Sequence, residues 1–156
     1  MAIDQAVNLI QSIDVQVPPA SAYKALTSGF RYWWSEFAQG ALEAPGDRLH
    51  VTFPPGRSYW TFEARRLEPG HRVSIQCVGA DHILTEYPDA DHQEWLGSTI
   101  DWRIDPLNTG CRITMEHVGL TPALVCYDVC EQGWSVYFER SLKDYLNTGS
   151  GLPHRL

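Results

Sequence analysis

The side chains whose type and spacing come nearest to chemistry are Cys126, Cys130 and His117. Two cysteines four residues apart share one side of a helix, and two thiolates are half of a zinc ligand set. No second pair at ligand spacing follows in the chain. The sequence therefore assigns no metal, and the two thiols read as small, mildly apolar packing groups. His117 shares strand parity with Ile113 and Met115, so it faces inward. A buried neutral imidazole needs partners for both ring nitrogens. It serves as a structural hydrogen-bonding group, a ligand anchor or a general base, and a base needs an orienting carboxylate that this strand face lacks. Cys126 with His117 is the one nucleophile–base pairing that the short turn between them allows. The run Asp89-Ala90-Asp91-His92-Gln93-Glu94 has metal-capable side chains but neither the glycine nor the periodicity of a calcium loop. It reads as a solvated hairpin tip. Arg65 and Arg66 alternate across a strand and make no phosphate clamp, and neither a phosphate loop nor a nucleophile elbow is present. No catalytic residue, cofactor or metal ligand is assigned.

Bulky apolar side chains are the stronger signal. Six Trp, seven Tyr and five Phe in 156 residues must fill a core or line a pocket, because each buries a large area. Phe53, Trp60, Phe62, Trp102, Met115, Trp134 and Phe138 fall on faces that point between a sheet and a helix. They are the candidate walls of an apolar cavity, with His117 as the group that meets a ligand's polar end.

These side chains need elements to carry them. Residues 8–17 end in alternation, with Ile13, Val15 and Val17 on one face. Pro18-Pro19 stops that strand, and two short helices follow, at 20–26 and at 30–35, the second carrying Trp33-Trp34. Strands are expected at 48–53, 59–67, 72–78, 95–104 and 111–118, separated by turn residues that include Asn108-Thr109-Gly110. The stretch 79–93 reads as a long connection, with 82–86 as an extension of the hairpin. Thr121-Pro122 signals a helix start. From there a stripe of Tyr127, Cys130, Trp134, Tyr137, Phe138, Ser141, Leu142 and Tyr145 runs at helical spacing to about residue 146. Strands joined in sequence by short turns make an antiparallel meander, and its apolar face needs the long helix as cover.

Composition narrows the function further. The length suits one domain spanning 1–156. Nineteen acidic residues against twelve basic ones leave a formal charge of −7, so no basic surface recruits nucleic acid. No segment is long and apolar enough for membrane insertion. Met1-Ala2-Ile3-Asp4-Gln5 carries no leader signal, and the four cysteines read as reduced thiols of a cytoplasmic protein.

Several stretches in order resemble one family. They are Val17-Pro18 with Tyr23-Lys24-Ala25-Leu26-Thr27, Tyr32-Trp33-Trp34, and Leu67-Glu68-Pro69-Gly70-His71-Arg72-Val73. Next come Gly97-Ser98-Thr99-Ile100 and Gly110-Cys111-Arg112-Ile113. The C-terminal part carries His117-Val118-Gly119-Leu120, Cys126-Tyr127-Asp128-Val129-Cys130, Gly133-Trp134, Ser141-Leu142 and Gly149-Ser150-Gly151-Leu152-Pro153. Together they resemble the START-like (SRPBCC) superfamily, and within it the homologues of the activator of the heat-shock chaperone ATPase. The resemblance implies an α+β helix-grip fold of order β-α-α-β-β-β-β-β-α, a curved antiparallel sheet around a long C-terminal helix, with a ligand-sized cavity between them. The expected activity is non-enzymatic binding of a small hydrophobic or lipid-like molecule. The alternatives are a hydrolase- or cyclase-like enzyme in the same cavity, and a protein-interaction or chaperone-associated module using a sheet edge or Trp33-Trp34. A homodimer through an edge strand is a further expectation.

Overall fold

The computed structural model describes residues 7–156. Met1–Gln5, on which the leader reading rests, lie outside the described residues. Six strands, β1 (Leu9–Val15), β2 (Arg48–Thr52), β3 (Tyr59–Glu68), β4 (Arg72–Asp81), β5 (Thr99–Pro106) and β6 (Cys111–Val118), form one sheet in the order β1-β6-β5-β4-β3-β2. Every neighbouring pair is antiparallel. Helices α1 (Pro19–Ala25) and α2 (Phe30–Trp33) fill the connection between β1 and β2. The chain is then helical again from 127 to 148, as α3 (Tyr127–Trp134), a π-helical segment (Ser135–Leu142) and α4 (Lys143–Thr148). This is the expected helix-grip order.

Alternation explains the strands. In β1 and β6 alternate residues are buried, and Ile113, Met115 and His117 face the helix as their parity requires. Two register shifts in β3, at Thr61/Phe62 and Ala64/Arg66, bend the sheet around the helix. The second shift also corrects the expectation for Arg65 and Arg66: both are exposed rather than on opposite faces, because the bulge adds a residue to the strand. Arg65 pairs with Glu63 and Arg66 with Glu68.

Three boundaries differ from the sequence reading. β4 runs on to Asp81, paired with the start of β3. Residues 82–86 form no strand, and β5 begins at Thr99 rather than Trp95. Gly97, at φ +85°, turns the chain there and ends the alternation. The long helix starts at Tyr127, not at Thr121. Thr121 and Leu124 each close a tight turn, and the first bond of α-helical length runs from Cys130 N–H to the Cys126 carbonyl. The free N–H groups of Val125 and Cys126 donate to the two carboxylate oxygens of Glu94, at 3.0 Å each. Glu94 therefore serves as a helix cap supplied from a distant loop, rather than as part of a solvated tip.

The helix buries Cys130, Trp134, Phe138, Ser141, Leu142 and Leu146 against the sheet. Ser141 ties it to α2: its hydroxyl donates to the Trp33 carbonyl at 2.6 Å and accepts the Leu152 N–H at 2.7 Å. The C-terminal tail adds a bond from His154 N–H to the Trp34 carbonyl. Trp33 and Trp34 are consequently buried, at 0% and 3% exposure, and offer no exposed docking surface.

Candidate functional site

A cavity of about 220 Å³ lies between the start of β3, the 82–95 connection and the middle of the long helix. Its walls are aromatic: Trp34, Phe53, Trp60, Trp95, Trp134 and Tyr137. Ring contacts brace them against one another. Trp34 meets Trp134 at 5.1 Å, Trp60 meets Trp95 at 5.1 Å, and Phe53 meets Trp60 edge-on at 5.5 Å. Trp95 stacks on Trp134 at 6.0 Å.

Gly133 lies on the helical side of the cavity, and a Cβ built there would meet nothing within 4 Å. A missing side chain on the helix thus contributes to the space. Besides the aromatic residues, Ser58, His82 and Cys130 bring polar groups to the wall, and the half-buried Ser58 and His82 share it with the exposed Val129. The Trp60 indole N–H is buried with no acceptor. No carboxylate lines this cavity among the described residues.

Of the residues singled out from sequence, Phe53, Trp60 and Trp134 come together at the cavity. Phe62, Trp102, Met115, His117 and Phe138 do not line it. All five are fully buried in the main core, where close-packed neighbours leave no room for a ligand. Strand parity, and helical spacing for Phe138, placed them inward correctly, but neither distinguishes a wall from filling.

His117 shows the difference in detail. Trp134 Nε1–H donates to its Nδ1 at 3.1 Å, so Nδ1 carries no proton. Nε2 therefore carries it and donates to the Ser98 hydroxyl at 2.9 Å. The Trp95 ring stands edge-on to the imidazole at 4.5 Å. Burial pushes its pKa down to about 3, which keeps the ring neutral. With both nitrogens occupied inside the protein, His117 is neither a ligand anchor nor a base for Cys126.

Trp34 and Trp95 are the wall residues that the sequence reading missed. Trp34 was placed on the second short helix and weighed as part of a docking region. Trp95 was placed at the head of a strand at 95–104 and not among the inward residues, whereas the Gly97 turn sets it outside β5.

The cysteines have different surroundings. None of the four is in a disulfide, and all are buried. Burial raises the Cys77 thiol to about 11. At the cavity edge, Cys126 and Cys130 meet His82, with one ligand atom from each residue within 4.8 Å of the others. The Cys126 thiol is pushed up by its hydrogen bond with Cys130 and then by burial, with His82 opposing. Trp95 Nε1–H donates to Cys130 Sγ at 3.2 Å. No pairing in the sequence pointed to His82, which lies far from the helix along the chain.

Residues 16–147 match the family described as Activator of Hsp90 ATPase homolog 1-like protein. Comparison with curated proteins gives no significant match. Among solved structures, the chain is similar to the Aha1 dimer from Colwellia psychrerythraea, at 25% identity and a TM-score of 0.75, covering 93% of this chain and 99% of that one. A protein from Mesorhizobium loti is 22% identical, with a TM-score of 0.66 and coverage of 85% and 91%. One from Staphylococcus saprophyticus is 16% identical, with a TM-score of 0.65 and coverage of 94% and 96%. The latter two share the fold.

Proposed function

The chain belongs to the family of Activator of Hsp90 ATPase homolog 1-like proteins, and on that premise we propose that it binds a small, ring-sized apolar molecule in the cavity beside Trp60 and Trp134. The observation that carries this reading is the cavity itself, aromatic on its walls and open where Gly133 lacks a side chain. An apolar cavity of roughly 150 Å³ takes up benzene. About 220 Å³ therefore suits one or two fused rings better than a whole lipid. The wall carries no carboxylate, and the one buried histidine nearby is fully bonded, so binding without chemistry is favoured over an enzyme.

The test is calorimetry with indole and 2-naphthol on the wild-type protein and on Gly133→Leu. The leucine grows into open space, and helix propensity favours it over glycine, so the variant keeps its fold. Saturable one-to-one binding of either compound is expected in the wild type, at least tenfold weaker in Gly133→Leu. Equal affinity in both proteins, or no saturable binding of either compound, overturns the reading. The Colwellia relative is a dimer, and we extend that state to this chain. A monomer mass by sedimentation at micromolar concentration refutes the extension.

A further inference from the structure

We infer that His82, Cys126 and Cys130 form a zinc site at the edge of the cavity, with three protein ligands and one open position. The inference goes beyond ligand binding and does not depend on it. Cys126 and Cys130 come from the start of the long helix, one turn apart. His82 comes from the connection that follows β4, where its backbone N–H bonds to the His92 carbonyl. The ligand atoms already lie within 4.8 Å of one another. Zinc bonds of about 2.3 Å to sulfur and about 2.0–2.1 Å to nitrogen put the donors of one tetrahedral ion about 3.5–3.8 Å apart. Closing on the ion thus takes side-chain adjustment of about an ångström, and the half-buried His82 is the group free to move.

The chemistry of the donor set fits the metal. Two thiolates and an imidazole are soft-to-borderline ligands, which suit zinc and not magnesium or calcium. Binding takes the proton from each thiol, and both protons leave to solvent. The resulting unit, one Zn²⁺ with two thiolates and a neutral imidazole, has no net charge. It therefore avoids the penalty of a lone ion in a partly buried place. Two outer contacts support the ligands: Trp95 Nε1–H points at Cys130 Sγ, and Glu94 holds the Cys126 amide. Hydrogen bonds of this kind orient metal-bound thiolates. Cys130 and His82 also line the cavity, so the fourth position goes to water or to a donor atom on a cavity occupant.

The test is titration of the reduced, metal-free protein with Co²⁺ and then Zn²⁺, without oxygen. The expected result is one Co²⁺ per chain, with a near-ultraviolet thiolate-to-cobalt charge-transfer band and the intense visible bands of a tetrahedral ion, all displaced by one equivalent of zinc. His82→Ala and Cys126→Ser should each weaken binding at least tenfold. His82 is half-buried on a connecting segment, so His82→Ala keeps its fold even where the cysteine variant does not. Circular dichroism and a melting curve check both. Absence of the charge-transfer band, or a band and affinity unchanged in folded His82→Ala, overturns the assignment.

Discussion

Acidifying the protein tests the placement of His117 directly. The folded chain keeps this imidazole neutral down to about pH 3, whereas in the unfolded chain it takes up a proton below about 6.5. Between those values the unfolded state binds more protons, so stability rises with pH through the window and is lost as pH falls. At pH 5 the unfolded histidine has gained about 1.5 pH units of protonation. At 1.36 kcal/mol per unit this costs about 2 kcal/mol relative to pH 8. The comparison protein is His117→Gln. Its carbonyl can accept from Trp134 and its amide can donate to Ser98, yet it does not titrate. Urea unfolding of both proteins from pH 8 to pH 5 should show the wild type losing about 2 kcal/mol more than the variant. Other histidines and carboxylates contribute equally to both and cancel. Parallel stability curves would refute the assignment. So would a His117 ring resonance, followed by NMR in the wild type, that titrates near 6; this second readout stands even if the variant folds poorly.

Two further outcomes follow from single contacts. Glu94→Ala removes the acceptor for two helix-end N–H groups and should cost about 1–2 kcal/mol. Amide exchange at Val125 and Cys126 should quicken more than exchange in β1. Unaltered protection there would mean that the carboxylate does not cap the helix. Gly110→Ala should be strongly destabilising, by about 2 kcal/mol or more. Gly110 sits at φ +90°, and a Cβ would lie 1.9 Å from the Val15 carbonyl oxygen. A melting temperature within a degree of wild type would show that the β1–β6 end of the sheet is looser than described.

Period-two alternation made β1, β3 and β6 readable, because the inward face of a strand is a local property of neighbouring residues. The helical stripe from Cys130 to Leu142 was readable for the same reason at a period near 3.6. The helix start was misread because Glu94, rather than a neighbouring Thr, supplies the cap. Trp95 was misplaced at the head of a strand because one left-handed glycine, Gly97, ends the alternation before it. The residues quoted from Val17 to Pro153 were sufficient to place the chain in its family, since many short matches in a fixed order define one topology.

By itself, then, the sequence determined the element order, the antiparallel sheet and the inward faces of its strands and long helix. Tertiary packing alone decided which of those side chains border empty space. Met115 and Phe138 face inward as Trp60 does, yet they meet atoms on all sides, and a void depends on what every distant neighbour fails to fill. The same holds for His117, whose chemistry was settled by Ser98 and Trp134. It holds too for Cys126 and Cys130, which gain His82 only when the connection after β4 folds back over the helix.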